Sequence, residues 1–235
     1  MSLTSTRTAR ELLGHLRRLS NPRNIEGMAR YGIAPASPLG VSVKQLRDLA
    51  REVDRDHDVA ALLWKSGLHE ARILASILEE PDRVTKAQME RWAKGFDSWD
   101  LCDQCCANTF EKTPYAWEMV RVWSSRKEEY VKRAAFSLLA RLAVSDKETA
   151  DDRFKRLLPL VKKGATDGRN YVKKAVSWSA RQIGKRSIGL HKQALSLAAG
   201  LSRSKHDSAR WIAKDIMKDL NRPALKAGLG KRKMS

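Results

Sequence analysis

The sequence predicts an all-α protein built as a solenoid of paired helices with a concave basic face. Helical periodicity runs along the whole chain, and no segment alternates convincingly as a strand. About a dozen helical segments of roughly 8–17 residues are joined by short connections, and pairs recur about every 30–45 residues. That spacing is typical of helical-repeat solenoids, which stack helix pairs into extended curved surfaces.

Apolar residues at helical spacing place seven helices in the first part of the chain. They cover residues 6–19, a short segment around 25–31, then 43–53, 59–64, 69–78, 85–96, and a helix that starts at 98. Ser42 is a suitable N-cap for the third helix. Two prolines make residues 32–40 a loop, and Pro81 ends the fifth helix.

Six further helices are predicted after residue 113. They cover residues 114–123, with Pro114 in the first turn, then 128–143, 151–161, 169–183, 188–201 and 205–220. The glycines at 164 and 168 bound a predicted loop. We therefore expect one helical domain over residues 1–222, followed by a basic, disordered tail over 223–235.

The positive charge is concentrated in the last third of the chain. The 235 residues carry a net charge of +19, yet residues 161–235 hold 19 Lys and Arg against 4 Asp and Glu. Such a local surplus favours a polyanionic partner, and a concave face of this size suits a DNA duplex. The alternative is a basic surface that is only solvated.

Cysteine usage and hydropathy indicate the compartment. The three cysteines lie within five residues, which is no disulfide framework. The first residues lack the apolar core of a signal peptide, and no apolar run is long enough for a membrane span. We expect a soluble, cytoplasmic protein of bacterial type with no membrane partner. No heptad calls for a partner subunit, so we expect a monomer.

The helix that begins at residue 98 presents two unlike faces. Leu101, Cys102 and Cys105 fall on one side at 100° per residue, whereas Trp99 and Asp103 lie together on the other. An indole and a carboxylate on a non-core face suggest chemistry on a cationic substrate. The alternative is that Trp99 packs between helices and Asp103 pairs with an arginine.

A second aromatic residue stands within a basic stripe. Trp178 lies away from the apolar stripe of its helix and shares its face with Lys174, Arg181 and Lys185. A ring flanked by cations is typical of a site where the ring meets a sugar or base and the cations bind phosphates. Inter-repeat packing under snorkelling cations is the alternative. Arg133 likewise lies opposite the apolar stripe of its own helix.

Five segments of the chain resemble the AlkD-type DNA alkylation repair glycosylases, which are built from HEAT-like repeats. In family order they are PLGVSVKQLR (38–47), LWKSGLHEAR (63–72), SWDLCD (98–103), KRAAF (132–136) and YVKKAVSWSAR (171–181). The resemblance implies that Trp99 and Trp178 pack against the damaged nucleotide and that Asp103 is the catalytic carboxylate. It also implies that Arg133 lies near that carboxylate and the DNA backbone. Lys132, Lys174, Arg181 and Lys185 are the expected DNA-binding cations.

The family cleaves N-glycosidic bonds of purines alkylated at N3 or N7, without inserting the base into a deep pocket. The residue types suit that reaction, because an alkylated purine is cationic and leaves readily. Positive charge then develops on the deoxyribose, where a carboxylate and indole faces can stabilise it. No metal or cofactor is needed for such a step. We expect four residues to converge on one basic, concave surface: Trp99, Asp103, Arg133 and Trp178.

Other functions remain open from the sequence. A HEAT-like relative could bind damaged or distorted DNA without excision, because a fold does not fix an activity. A protein-interaction scaffold is disfavoured by the charge. The Cys102 and Cys105 spacing could also suggest a redox or metal site, but no histidine or second cysteine pair lies nearby. Filling of a helix interface is the better interpretation. His69 is expected to be structural.

Overall fold

Helices make up the regular structure throughout the described chain. The computed structural model describes residues 2–223 and 225. Within that part of the chain there are two 3₁₀ turns, no strand and fourteen α-helices: α1 (Leu3–Arg18), α2 (Pro22–Arg30), α3 (Val43–Leu49), α4 (His57–Lys65), α5 (His69–Leu78), α6 (Lys86–Lys94), α7 (Trp99–Asn108), α8 (Ala116–Trp123), α9 (Glu129–Ser145), α10 (Asp151–Lys155), α11 (Leu158–Gly164), α12 (Asn170–Gly184), α13 (Ile188–Leu201) and α14 (Asp207–Leu220). The all-α prediction is confirmed.

The helices divide into two compact units, with the boundary between Ala116 and Trp117. The first unit contains α1 to α7, and the second contains α9 to α14. One domain over residues 1–222 therefore stays a prediction, as does the concave basic face. The predicted tail lies outside the described residues, apart from Pro223 and Leu225.

Side-chain caps from Ser, Thr, Asn or Asp fix several helix starts of the first unit. Ser42 and Gln45 form a capping box at α3, as predicted for Ser42. Asp56 caps α4 by accepting from the backbone N–H of Val59, and its other oxygen accepts from the Ser5 hydroxyl of α1 at 2.9 Å. One carboxylate thus starts a helix and links it to another.

Helix α5 is the centre of the first unit. Nine of its ten residues are buried, and Ile77 is the exception. α7 runs parallel to α5, because His69 at the start of α5 meets Asp100 and Ser76 near its end accepts a hydrogen bond from Thr109 at 2.6 Å. A helix that is buried on nearly all sides must lie between others, so α5 positions α7.

The second unit stacks α9, α12 and α14 in parallel. The rings of Tyr130 and Tyr171 stack at 5.7 Å near the starts of α9 and α12, and Arg186 just beyond α12 donates to the Ala143 carbonyl near the end of α9. Ser177 of α12 donates to Asp215 of α14 at 2.6 Å. These residues are 38 to 43 positions apart, which matches the roughly 40-residue period of HEAT-like repeats.

Two predicted helices that contain proline differ from the structure. The predicted helix over 151–161 is two helices, α10 and α11, because Pro159 has no N–H and its ring would clash with the preceding turn. Pro159 instead occupies the first turn of α11. Pro114 lies in a turn two residues before α8 begins at Ala116 rather than within its first turn.

The predicted loop over 164–168 begins one residue too early. Gly164 belongs to α11, where a Cβ atom would collide with the ring of Phe136 on α9. The glycine therefore serves close helix packing rather than a turn. Chain reversal follows it, at residues 165–169.

Candidate nucleic-acid interface

The two faces of α7 are separated as the sequence predicts. Leu101, Cys102 and Cys105 have no exposed surface. Trp99 and Asp103, one turn apart, are half-buried and keep part of their surface in solvent. The two faces differ because the side of α7 with Leu101, Cys102 and Cys105 is packed in the core, whereas Trp99 and Asp103 remain at the surface.

A backbone contact fixes the Trp99 ring. Its indole N–H donates to the carbonyl of Tyr31 at 3.0 Å. Tyr31 lies at the start of the loop between α2 and α3. The indole is therefore oriented by a segment far away in sequence, and this partner was missed from the sequence because a backbone acceptor leaves no residue-type signal.

Glu70 holds the same loop. Its two carboxylate oxygens accept the backbone N–H groups of Gly40 at 2.7 Å and Leu39 at 2.8 Å, and the N–H of His69 donates to the Ser37 carbonyl. Gly40 has φ +76°, and a Cβ there would collide with the Asn21 carbonyl. Only glycine fits this position, so the loop's path is set by Gly40 and by one buried carboxylate.

Polar side-chain contacts anchor α7 and the residues just before it to α5. His69, which is 1% exposed, has Nε2 2.9 Å from Asp100 Oδ2. Burial opposes ionisation of Asp100, but its hydrogen bonds, chiefly with His69, outweigh burial and leave the Asp100 pKa below its usual value. Arg72 pairs with Asp97 at 2.6 Å and donates to the Gly95 carbonyl. His69 therefore has the structural place that the sequence predicts.

The cysteines lie in the core of the first unit. Cys102, Cys105 and Cys106 are fully buried, and burial raises the pKa of the Cys105 thiol well above its usual value. A buried neutral thiol behaves as a small apolar group. In residues 2–223 and 225, no group of three or more His, Cys, Asp or Glu side chains is arranged to hold a metal ion. Their burial agrees with the predicted packing role.

Arg133 and Lys132 lie at the start of α9 in the second unit. Arg133 is 6% exposed, and its guanidinium donates to the Tyr171 carbonyl at 2.7 Å. The Lys132 ammonium pairs with Asp167 at 2.9 Å, and Asp167 also binds Arg169. Lys132 is thus partly neutralised, and its DNA-binding role stays a prediction.

Trp178 is half-buried on α12, in the middle of the predicted basic stripe. Lys174 is exposed one turn before it. Further along, Arg181 pairs with Asp215 at 3.3 Å, and Lys185 pairs with Asp219 at 2.5 Å. The stripe is therefore uneven, because α14 supplies carboxylates opposite the C-terminal half of α12.

The four predicted site residues are divided between the two units. Trp99 and Asp103 belong to the first unit, and Arg133 and Trp178 belong to the second. Trp99, Asp103 and Trp178 are half-buried, and Arg133 is held by the Tyr171 carbonyl. The convergence of these four side chains on one surface stays a prediction. Trp211 on α14 was missed from the sequence, although it is 39% exposed and Lys173 lies 4.7 Å above its ring.

Comparison with protein families gives a match along most of the chain. The family model described as DNA alkylation repair enzyme matches residues 12–220. The chain belongs to the DNA alkylation repair enzyme family. This match confirms the predicted resemblance. It covers far more of the chain than the five short segments that suggested it.

A solved structure supports the fold of this DNA alkylation repair family member. It is described as a new family of proteins related to the HEAT-like repeat DNA glycosylases with affinity for branched DNA structures. The two chains are 17% identical with a TM-score of 0.73, over 89% of this chain and 94% of the other. The HEAT-like fold is thus confirmed. A comparison with curated protein sequences gives no significant match.

Within the part of the chain that the structure describes, no helix is both long and apolar enough to cross a lipid bilayer.

Proposed function

We propose that this protein is a DNA glycosylase that hydrolyses the N-glycosidic bond of N3- or N7-alkylated purines in duplex DNA. The observation that supports it most is the face of α7, where Trp99 and Asp103 stay half-buried beside a fully buried apolar side. Membership of the DNA alkylation repair enzyme family supports the same activity. The partner in this proposal is DNA bound by a monomer in the cytoplasm.

The substrate's own charge explains why so few groups suffice. An alkylated purine carries a positive charge on its ring, so it departs neutral when it takes the electron pair of the C1′–N bond. No general acid is needed for such a leaving group. Water adds its oxygen to C1′ and releases one proton, which completes the hydrolysis. The transition state has oxocarbenium character on the deoxyribose.

Asp103 stabilises that developing positive charge and orients the attacking water. The indole faces of Trp99 and Trp178 attract a cationic sugar, with each contact worth about 0.5–2 kcal/mol. The Trp99 ring is already oriented by its hydrogen bond to Tyr31, so less freedom is lost on binding. Arg133, whose guanidinium donates to the Tyr171 carbonyl, contacts the DNA backbone near the lesion. In this mechanism the enzyme selects the cationic base because its N-glycosidic bond breaks readily. The base does not have to be inserted into a deep pocket.

Replacement of the carboxylate tests the proposal. Asp103→Asn should retain affinity for DNA but lose excision of 7-methylguanine by roughly 100-fold or more, since charge stabilisation in such sites is worth about 3–4 kcal/mol. The measurement is release of base from methylated duplex DNA without heating. Asp82→Asn makes the same chemical change on the exposed surface of the first unit and should leave excision unchanged. Undiminished excision by Asp103→Asn would refute the assignment.

A non-catalytic DNA-binding protein is the second candidate. The observation that favours it is the likeness to a structure described as having affinity for branched DNA. If the wild-type protein releases no base and binds a four-way junction more tightly than a blunt duplex, this candidate replaces the glycosylase. Base release that depends on Asp103 excludes it.

A further inference from the structure

We propose that Trp211, with Lys173, Lys174 and Lys214, forms a second nucleic-acid contact that binds an unpaired nucleotide in DNA. The exposed indole stacks on the open face of the base, and the lysines bind the adjoining phosphates. This site relies on the proposed function only in that DNA is the partner, and it takes no part in bond cleavage.

The parallel register of α12 and α14 places these residues together. Lys173 of α12 lies over the Trp211 ring of α14 at 4.7 Å, and one turn further along each helix Ser177 donates to Asp215 at 2.6 Å. Lys174 comes one residue after Lys173 on α12, and Lys214 comes one residue before Asp215 on α14. At 100° per residue, these opposite steps from facing residues of two parallel helices direct both lysines to the same side of the helix pair. All of these residues belong to the second unit.

The cations of this helix pair differ in whether they have a carboxylate partner. At the C-terminal half, the cations Arg181 and Lys185 are paired with Asp215 and Asp219. Lys174 of α12 and Lys214 of α14 are exposed, and neither forms an ion pair with any residue that the structure describes. Free cations attract phosphates more strongly than cations that already have carboxylate partners, so Lys174 and Lys214 are better phosphate contacts than Arg181 and Lys185.

Trp211 has the exposure expected of a contact residue rather than a core residue. Trp211 is 39% exposed, whereas Trp92 and Trp123 are 3% and 0% exposed in the cores of their units. The Lys173 ammonium above the ring holds the indole in place through a cation–π contact and is itself free to bind a phosphate. An exposed indole beside lysines is the arrangement that binds single-stranded DNA without sequence preference.

The unpaired nucleotide follows from the geometry of stacking. In an intact duplex the faces of each base are covered by its neighbours, so an indole can touch only sugar edges. An open base face occurs in a single-stranded overhang, at a nick or at a branch. We therefore expect the contact to increase affinity for DNA with such a feature more than for blunt duplex.

The test compares undamaged DNA with a single-stranded overhang and the matching blunt duplex, by fluorescence anisotropy. Trp211→Ala should weaken binding to the overhang DNA by roughly 5- to 100-fold and change blunt-duplex binding much less. Trp211→Phe should restore most of the affinity, because a phenyl ring also stacks. Val122→Ala, another exposed apolar residue of the second unit, should leave both affinities unchanged.

The lysines have their own measurement. The double variant Lys174→Gln, Lys214→Gln should reduce the slope of log K against log salt by about 2 on the overhang DNA, one for each lost phosphate contact. Lys192→Gln, on the exposed side of α13, should not change the slope. An unchanged slope in the double variant would contradict the site.

The outcomes separate this site from the glycosylase proposal. Trp211→Ala should excise 7-methylguanine at the wild-type rate when enzyme is saturating, and Asp103→Asn should bind overhang DNA as well as wild type. The inference is overturned if Trp211→Ala binds overhang DNA like wild type, or if it weakens overhang and blunt DNA equally. It survives if the protein binds overhang DNA through Trp211 but releases no base.

Discussion

At the scale of single residues, the orientation of Trp99 depends on residues outside the candidate site. Trp99 is oriented by the Tyr31 carbonyl, and the loop that follows Tyr31 is held by the two oxygens of Glu70. Buried carboxylates that accept two backbone N–H groups are expensive to alter, because an orphaned donor cannot recover its hydrogen bond from water. The position of the indole therefore depends on a residue 29 positions before it in sequence.

Glu70→Gln should destabilise the protein by about 1–3 kcal/mol, because the side-chain amide offers one oxygen where two backbone N–H groups need acceptors. The measurement is chemical denaturation, followed by tryptophan fluorescence. Glu52→Gln changes an exposed carboxylate of the first unit that has no ion pair in the described chain and should have little effect. Equal stability of the Glu70 and Glu52 variants would show that the loop is held by other contacts.

At the scale of elements, parallel helices of the second unit are joined by charge as well as by apolar packing. Asp167, in the turn before α12, binds Lys132 of α9 and Arg169. Its hydrogen bonds with Arg169 first and with Lys132 lower the pKa of Asp167 well below its usual value near 3.8, against the opposing effect of burial. This carboxylate fixes the α11–α12 turn against the start of α9, where Arg133 is located.

The lowered pKa of Asp167 determines how its contribution to the free energy of unfolding changes with pH. Because folding lowers the Asp167 pKa, its stabilisation is present above pH 3.8 and is lost as the pH falls through the folded-state value. Asp167→Asn should cost about 1–3 kcal/mol at neutral pH, and the difference from wild type should shrink in acid. Thermal unfolding at several pH values measures this. Asp152→Asn, an exposed carboxylate on α10, is the control and should show neither effect.

At the scale of the whole molecule, a net charge of +19 favours association with a polyanion. Not every cation is available to bind a phosphate, because several already have carboxylate partners in the described chain. Affinity for DNA should therefore reflect the number of unpaired cations at the interface rather than the total charge.

Affinity for undamaged duplex DNA should fall about 10- to 1,000-fold between 50 and 200 mM salt, because each phosphate contact releases a counterion. Fluorescence anisotropy over a salt series measures it. A flat salt dependence would contradict nucleic acid as the partner, whatever the activity.

Local sequence determined most of the secondary structure. The predicted bounds of α5 and α13 agree with the structure, and the others differ chiefly at their ends, because apolar periodicity and caps act over a few residues. Pro159 was the main exception, since a single missing N–H outweighed an otherwise continuous apolar pattern. The two faces of α7 were equally predictable, because a helix separates residues at i and i+4 from those between them.

The sequence by itself also determined the family and the residue types of the candidate site, because motifs keep their order along the chain. Only the tertiary structure decided which cations are neutralised, since Asp215 and Asp219 lie one repeat away from Arg181 and Lys185. It likewise decided that Tyr31 orients Trp99 and that Trp211 meets Lys173. These contacts join residues 34 or more positions apart, and helical periodicity holds no information at that distance.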